Sequence, residues 1–445
     1  MPEGLHKKRQ LSSFQAITLG FAGVILMGAF LLMLPISSAA GVVTPFNQAV
    51  FTSTSAVCVT GLVLLDTGSY WSPFGQGIIL LLIQIGGLGV ITVASSASIL
   101  SGRRISLSQR STMQDAISAP QMGGIVKFTR FLVRGTFIIE LIGALLLLPV
   151  FCHDYGPKGI WMSFFHSISA FCNAGFDLFG TVEQPFVSLS RYLTNPYVNG
   201  VIILLIVLGG IGFLTWDDIR RHGFHLKKYR MQSKVILTTS LVLIVLPTIL
   251  YFLFDFQELS VGQRFLAALF QAVTPRTAGF NTADLTAMTE SSRAIMIFLM
   301  LIGGSPGSTA GGMKTTTLAV LVFNAIATFR KHENPGAFGR RLDGSIIKNA
   351  SSIAMMYFAM FFTGGILISV IEKLPLSDCL FESASAVGTV GLTLGITPTL
   401  HLPSQIILII LMYLGRVGGL TIIYAALAPR NPINAKYPME KITVG

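Results

Sequence analysis

The sequence predicts an all-α polytopic membrane protein with eight transmembrane helices arranged in four repeats. Three observations predict this class. Of the 445 residues, 52% are hydrophobic and only 11% are charged, whereas a soluble domain carries about 25% charged residues. Uncharged stretches long enough to cross a bilayer recur along the whole chain. Four short apolar segments between them each lead into a similar glycine-containing string, which is the signature of an internal repeat.

The charge balance is basic, with a formal net charge of +12. Basic proteins often bind nucleic acid, but the apolar background here leaves no basic soluble surface. We therefore expect no nucleic-acid partner, and most soluble enzyme classes are excluded.

Eight segments are long and apolar enough to be predicted spans. The first is too long for a cleaved signal peptide, whose apolar part is about 7–15 residues, and the sixth is too long for one simple helix. The predicted spans are 14–34, 75–100, 131–151, 198–216, 235–254, 291–330, 349–371 and 402–427.

The distribution of positive charge predicts the orientation. One side of the membrane receives 22 of the 31 lysines and arginines. By the positive-inside rule this side is the cytoplasm, and an even number of spans then places both termini there. The predicted cytoplasmic segments are 1–13, 101–130, 218–234, 326–348 and 428–445.

The repeat is carried by four apolar segments too short to span, which are typical of re-entrant elements. They are 47–58, 161–173, 264–274 and 378–388, and they lead to Gly61, Gly175, Gly279 and Gly391. Each predicted repeat is a span (M1), a short pore helix (P) with its re-entrant pore loop, and a second span (M2). Ser55, Ser169 and Ser385 share one register, from which Val273 departs. The predicted repeats are 1–105, 106–225, 226–340 and 341–445.

This pattern predicts a central pore lined by backbone oxygens. Extended backbone inside a membrane must be buried or line a cavity, and a dehydrated K⁺ needs carbonyl oxygens in place of its water. Glycine reaches positive φ without a Cβ clash, and the short helices present partially negative C-terminal ends. Eleven acids against six bases on the outer side would concentrate cations. The predicted ion-filter residues are Val59, Thr60, Gly61, Asn173, Ala174, Gly175, Thr277, Ala278, Gly279, Thr389, Val390 and Gly391.

A second predicted site is a gate below these loops. One proline and five glycines in 303–314 do not fit a straight helix. Arg416 lies in the last span, where a buried arginine is costly and a functional candidate; in a cation pore it would form an electrostatic barrier. A structural arginine paired with backbone carbonyls stays the alternative. The predicted gate residues are Gly303, Gly304, Ser305, Pro306, Gly307, Ser308, Thr309, Ala310, Gly311, Gly312, Lys314 and Arg416.

The four glycine loops and their flanking spans resemble the Trk/Ktr/HKT cation-transporter superfamily, and within it the membrane subunits of bacterial Ktr potassium-uptake systems. The resemblance covers nearly the whole chain. It implies pseudo-fourfold symmetry, K⁺ bound at backbone carbonyls near the four glycines, and potassium permeation associated with glycine at Gly61, where serine favours sodium. It also supports the gate role of Arg416 and loop 303–314.

The same resemblance implies further properties of the complete system. These are a location in the bacterial plasma membrane, a homodimer, and docking on a cytosolic nucleotide-binding regulatory ring gated by ATP and ADP. Na⁺ is implied as an activator, and no covalently bound cofactor is expected. Basic cytoplasmic loops around Arg220 and Lys227 could meet membrane lipid or an acidic partner.

Alternatives to the leading interpretation exist for the function and for individual residues. A secondary transporter coupled to Na⁺ or H⁺ is the alternative, because broken helices suit that class too. An enzyme is not expected, since no two histidines have the spacing of a zinc motif and the four cysteines show no CxxC pair. Arg134 and Glu140, both within one span, could pair with each other. The strings 86–89 and 209–212 are interpreted as helix packing or kinks.

Overall fold

The computed structural model describes residues 12–100, 106–117, 123–332 and 334–418, together with 421 and 440. Much of the predicted cytoplasmic segments 1–13, 101–130 and 428–445 therefore lies outside the described residues. The described chain is almost entirely helical. Its only sheet is a short hairpin of β1 (Gly336–Ala337) and β2 (Arg340–Arg341).

The helices follow the predicted order of span, pore helix and second span. In the first repeat they are α1 (Ser13–Met33), α2 (Phe46–Val57), α3 (Thr67–Tyr70), α4 (Pro73–Leu88) and α5 (Val90–Leu100). After the short helix α6 (Leu107–Ile117), the second repeat contains α7 (Ile125–Tyr155), α8 (Lys158–Phe171), α9 (Pro196–Gly210) and α10 (Phe213–His222). The third repeat contains α11 (Met231–Phe254), α12 (Val261–Val273), α13 (Glu290–Leu301) and α14 (Thr315–Phe329). The fourth contains α15 (Gly344–Glu372), α16 (Leu376–Gly388) and α17 (Leu402–Val417).

The first span of every repeat is one continuous helix. Helices α1, α7, α11 and α15 are each long and apolar enough to cross a membrane. They expose large apolar side chains on one face, as Leu241, Val245 and Ile249 do on α11, and bury the opposite face against the rest of the protein. A helix that is apolar on its outward face is expected in lipid. The predicted all-α multi-pass fold is confirmed.

The second spans are not straight. Helices α4 and α5 meet at 95°, and α9 and α10 meet at 98°, where the sequence suggested uninterrupted spans over 75–100 and 198–216. Gly89 lies at the first bend with φ 84° and ψ 133°, and Gly212 at the second with φ 87° and ψ 141°. Gly418, which ends α17, has φ 85° and ψ 131°. Side chains with a Cβ disfavour this region, so Gly89 and Gly212 form kinks. A Cβ on Gly86 or Gly209 would also clash with a carbonyl oxygen at the end of a pore helix, so both interpretations of the strings 86–89 and 209–212, kinks and helix packing, are confirmed.

The third repeat interrupts its second span differently. Residues 303–314 separate α13 from α14 and form no helix, as their proline and glycines predict. The chain doubles back, because Ile302 and Met313 pair as an isolated parallel bridge. The predicted fourth inner span, 402–427, is described only as far as α17, Gly418 and Thr421.

Three of the four pore helices are held against the first span of their own repeat by a recurring contact. The hydroxyl of Ser53 donates to Ile25 O at 2.7 Å, Ser167 to Glu140 O at 2.6 Å, and Ser383 to Phe361 O at 2.8 Å. A glycine lies three residues after each acceptor, and a Cβ there would meet the serine oxygen. Small residues let helices approach closely in membranes. This contact therefore fixes the pore helices of the first, second and fourth repeats against their own first spans.

Candidate functional site

Four extended strands follow the four pore helices and share one backbone conformation. The ring glycines Gly61, Gly175, Gly279 and Gly391 have φ of 91°, 67°, 78° and 95°. Two residues before them, the side-chain-bearing residues Val59, Asn173, Thr277 and Thr389 also have positive φ, of 57°, 57°, 70° and 52°. Such angles are uncommon for residues other than glycine, and they cost energy. Their recurrence at one aligned position in four repeats indicates a functional constraint.

The four strands form a closed ring. A Cβ placed on any ring glycine would lie within 2.8 Å of the carbonyl oxygen that precedes the glycine of the next repeat. The successive contacts run from Gly61 to Ala174 O, from Gly175 to Ala278 O, from Gly279 to Val390 O and from Gly391 to Thr60 O. All twelve predicted filter residues are buried and are brought together here. The second and fourth repeats therefore lie on opposite sides of the ring.

Hydroxyl groups at the ends of the pore helices anchor these strands. Ser55 Oγ accepts from Gly61 N at 3.0 Å, and Ser385 Oγ accepts from Gly391 N at 3.0 Å. Ser169 Oγ instead donates to Phe176 O at 2.7 Å. Where Val273 departs from this register, the next residue, Thr274, donates its hydroxyl to Phe280 O. The anchor is thus present in all four repeats, and sequence reasoning missed its one-residue shift in the third.

A cavity of about 250 Å³ opens on the side of the ring that the charge distribution predicts to face outwards, and it is called the outer mouth below. All four ring glycines and the carboxylates of Asp66, Asp177 and Asp284 line it. Asp66 is largely buried and accepts hydrogen bonds from Ser69 N and Phe186 N, each at 2.8 Å. Burial, opposed by the hydrogen bond from Phe179 N and assisted by the nearby Asp66 charge, raises the pKa of Asp177 to about 7. The outer mouth is therefore acidic.

Loop 303–314 lies on the opposite side of the ring, docked on the bend of the second repeat. Its backbone exchanges four hydrogen bonds with that bend or across its own ends: Ser305 N to Gly210 O (2.9 Å), Thr309 N to Gly209 O (3.2 Å), Phe213 N to Gly307 O (2.7 Å) and Gly303 N to Met313 O (2.7 Å). Asn173 Nδ2 of the ring donates to Thr309 Oγ1 at 3.1 Å. A Cβ on Gly311 would meet Thr389 Oγ1 at 2.1 Å. The loop thus contacts two of the four ring strands directly.

Arg416 joins three repeats at this level. Its guanidinium donates to Thr309 O of the loop, to Gly86 O, and to Gly87 O at 3.3 Å. Its partners are backbone carbonyls, as the structural alternative expected, and it has no salt bridge among the described residues. Arg416 lies two residues before Gly418, the glycine at the end of α17, and the two bent spans carry Gly87 and Gly210 two residues before their bend glycines. Aligning the ends of these helices in the structure shows that Arg416 stands where the other two have glycine. The sequence alone does not show this replacement.

A second cation lies beside it. Lys314 Nζ donates to Ala310 O at 2.7 Å and to Gly311 O at 3.2 Å, so it also holds the loop by carbonyl groups. Lys314, Arg416 and Gly307 line a cavity of about 320 Å³ together with Asp115 of α6. The predicted gate residues are therefore adjacent in space, below the ring and beside a cavity.

Glu140 and Arg134 do not pair. Glu140 is buried and accepts from Gln84 Nε2 at 3.2 Å and from the thiol of Cys172 at 3.7 Å. Arg134 is exposed on another face of α7. No group of three histidine, cysteine, aspartate or glutamate residues within the described chain is arranged to hold a metal ion.

Comparison with known proteins agrees with this architecture. The family model TrkH, described as a cation transport protein, matches residues 9–435. The chain is 39% identical over 450 residues to the potassium/sodium uptake protein NtpJ of Enterococcus hirae, covering 98% of each chain. It is 36% identical over 438 residues to the Ktr system potassium uptake protein B of Bacillus subtilis, covering 97% of this chain and 96% of the relative.

A solved structure has the same fold. The crystal structure of the potassium transporter TrkH from Vibrio parahaemolyticus aligns with a TM-score of 0.74 and 17% sequence identity, covering 96% of this chain and 87% of that one. These relatives are transporters, which agrees with the expectation that the chain is not an enzyme. The chain belongs to the TrkH family of cation transport proteins.

Proposed function

We propose that this chain takes up K⁺ across the plasma membrane through the ring formed by its four glycine strands. The observation that carries the proposal is the closed ring itself, with positive φ at two alternate residues of every strand. In an ordinary extended strand, successive carbonyl groups point to opposite sides. Inverting φ at alternate residues turns them towards the same side. Carbonyl oxygens converging on one axis replace the hydration shell of K⁺.

The names of the relatives support K⁺ as the transported ion. NtpJ is named a potassium/sodium uptake protein and the Bacillus relative a potassium uptake protein. The acidic outer mouth supports a cation of either kind, because negative charge concentrates cations in a cleft. The choice of K⁺ over Na⁺ therefore depends on the ring and not on the mouth.

The gate in this proposal is loop 303–314 with Arg416 and Lys314. The loop contacts ring residues Asn173 and Thr389 from the inner side, and both cations lie beside the inner cavity. A fixed positive charge repels a cation most strongly where water is excluded. The loop is held by hydrogen bonds to carbonyls and not by a packed helix, so it can leave this position without unfolding a span.

Control from the cytoplasm is the remaining part of the proposal. Both termini and the basic loops lie in the cytoplasm, as the distribution of lysine and arginine favours. There, a homodimer of this chain docks on a cytosolic regulatory ring that binds nucleotide and responds to ATP and ADP. The word "system" in the names of the Ktr relatives supports a second component. Na⁺ acts as an activator in this scheme.

A Na⁺- or H⁺-coupled secondary transporter is the second candidate, and the name of NtpJ mentions sodium beside potassium. Transporters of that class build a midplane site from paired repeats and alternate its access. Four repeats that all begin with a span of one orientation, around one ring, support a pore instead.

Purified protein in vesicles distinguishes the two candidates. With a K⁺ gradient as the only driving force, external ⁸⁶Rb⁺ should accumulate in vesicles loaded with unlabelled K⁺. Excess external K⁺ should compete with ⁸⁶Rb⁺ uptake more strongly than excess external Na⁺. A dependence of all flux on a Na⁺ or H⁺ gradient would support the secondary transporter and contradict the pore. Empty vesicles and vesicles with heat-treated protein are the controls.

The outer mouth predicts a pH dependence of this uptake. Because the pKa of Asp177 is raised to about 7, its carboxyl is neutral below that pH and charged above it. Uptake at low external K⁺ should therefore rise about two- to fivefold from pH 6 to pH 8, the effect of one partly screened charge. Initial ⁸⁶Rb⁺ uptake at fixed internal pH measures it.

The matched variants are Asp177→Asn and Glu183→Gln. Asp177→Asn should give a flat profile at the low-pH level. Glu183 is an exposed acid in the same outer segment, and Glu183→Gln should keep the parental rise. An undiminished rise in Asp177→Asn would assign the pH dependence to another group.

A further inference from the structure

The side chain nine residues before each ring glycine lies on the pore helix, behind the strand that leaves the ring. These four positions are Thr52, His166, Phe270 and Glu382. All four are buried. Two of them are hydrogen-bonded to the chain just beyond the ring, and those two belong to repeats on opposite sides of it.

Glu382 is fully buried and holds the strand of the fourth repeat by three donors. Its Oε1 accepts from Leu394 N at 3.1 Å and from the hydroxyl of Thr393 at 2.5 Å. Its Oε2 accepts from the hydroxyl of Thr397 at 2.5 Å. Thr393 Oγ1 in turn accepts from Gly395 N at 2.9 Å. One carboxylate therefore fixes five successive residues that begin two positions after Gly391.

His166 makes the corresponding contact in the second repeat. Its Nδ1 lies 2.7 Å from Met162 O and must carry the hydrogen, because a carbonyl oxygen only accepts. The neutral Nε2 is then an acceptor, and Leu178 N donates to it at 3.2 Å. Leu178 follows Gly175 by three residues, as Leu394 follows Gly391. The same backbone N–H is thus held from the same pore-helix position by two chemically different side chains.

The other two repeats lack this contact. Thr52 Oγ1 is buried and has no hydrogen-bond partner, and Phe270 offers none. In the third repeat the neighbouring Gln271 makes only long contacts, at 3.3 Å to Asn281 Oδ1 and 3.4 Å to Thr282 Oγ1. Side-chain support behind the ring strands is therefore strongest in the second and fourth repeats, which lie on opposite sides of the ring.

We propose that Glu382 and His166 are positioning residues that hold the outer ends of two opposite ring strands apart, and that Glu382 in particular is needed for discrimination of K⁺ from Na⁺. The proposal rests on the ring being the ion filter. A ring of oxygens rejects the smaller Na⁺ only if it does not contract around it, and preorganised groups need such support behind them. Removing the acceptors takes away the protein partner of the partly buried Leu394 N–H and frees the strand.

The test compares ⁸⁶Rb⁺ and ²²Na⁺ uptake in vesicles containing Glu382→Leu, Glu382→Gln and Thr397→Val. Glu382→Leu should lower the Rb⁺/Na⁺ ratio at least about fivefold, chiefly by raising Na⁺ uptake. Glu382→Gln keeps one oxygen acceptor of similar position and should fall between this variant and the parent, as should Thr397→Val, which removes one donor. A purely structural role would reduce uptake of both ions together and leave the ratio unchanged.

The matched control is Asp378→Asn. Asp378 is an acid one turn earlier on the same pore helix, and its carboxylate contacts only the neighbouring Ser377 among the described hydrogen bonds. It should keep the parental ratio. If Glu382→Leu does not elute as folded protein, His166→Leu and His166→Gln decide the question, because glutamine retains an acceptor for Leu178 N and leucine does not; the ratio should fall only in His166→Leu.

Gly61→Ser in the same assay distinguishes a failure of the positioning role of Glu382 and His166 from a failure of the ring as the ion filter. A lowered ratio in Gly61→Ser with parental ratios in folded Glu382→Leu and His166→Leu would overturn the positioning role and leave the filter intact. A parental ratio in Gly61→Ser would contradict the filter itself, whatever the Glu382 variants did.

Discussion

Gly61→Ser is expected to lower the K⁺ over Na⁺ preference of uptake about tenfold, which corresponds to about 1.4 kcal/mol of differential stabilisation. Gly61 has φ of 91°, and a Cβ there would lie 2.5 Å from Ala174 O of the next strand. Real Cβ atoms do not approach a carbonyl oxygen so closely, so the ring must open at this junction. Competition of K⁺ and Na⁺ for ⁸⁶Rb⁺ uptake in vesicles measures the change.

The geometry also orders the four ring positions. The Cβ contact is 2.2 Å at Gly279 and Gly391 but 2.8 Å at Gly175. Serine should therefore be tolerated best at Gly175 and least at Gly279 and Gly391, with Gly61 between them. Gly77→Ser is the control, because a Cβ at this helical glycine meets nothing within 4 Å. Equal effects at all four positions would show that the contacts of the ring do not set its selectivity.

The sequence predicts the positions of the pore helices closely because their signal is local. Segment 47–58 corresponds to α2 and 378–388 to α16, with boundaries within two residues. Apolar length separates a span from a shorter helix, and a glycine string marks where the shorter helix ends. The four ring glycines were aligned by the same local strings, and the structure brings them to one ring.

Hydropathy alone does not locate the bends of the second spans, although the glycine strings 86–89 and 209–212 are compatible with kinks or close helix packing. Hydropathy is continuous across Gly89 and Gly212, so 75–100 and 198–216 read as uninterrupted spans. The bend of the second repeat depends on a glycine with positive φ and on a loop from another repeat, since Phe213 N donates to Gly307 O. Such a contact between distant segments leaves no local pattern. Partners of buried polar groups, such as those of Glu140, were inaccessible for the same reason.

The support behind the ring shows what a repeat alignment adds. Glu382 and His166 occupy one position of the repeat but differ in residue type, so similarity of strings does not connect them. Only the hydrogen bonds to Leu394 N and Leu178 N identify the shared role. The same comparison applies to repeat proteins in general. Side chains at one aligned position can differ in chemistry and still bind the same backbone group, so they should be compared by the group that they bind.

Arg416→Ser is expected to raise cation flux about tenfold while leaving the ion preference unchanged. The substitution removes a positive charge and the hydrogen bonds that tie Thr309 O to Gly86 O and Gly87 O. Two unit charges about 8 Å apart repel by about 2 kcal/mol at an effective dielectric constant of ~20, and about 1.4 kcal/mol is a tenfold change in rate. Initial ⁸⁶Rb⁺ uptake per reconstituted protein measures the effect.

Two matched variants separate charge from tether. Arg416→Lys keeps the positive charge but not the forked donor geometry of the guanidinium. Flux close to that of the parent would assign the barrier to the charge. A rise equal to that of Arg416→Ser would assign it to the hydrogen bonds that hold the loop. Arg134→Ser removes an exposed arginine from another span and should leave flux unchanged. Parental flux in Arg416→Ser would contradict the gate. The retained ion preference is the sharper consequence, because a barrier below the ring slows every cation alike, whereas damage to the ring changes which cation passes.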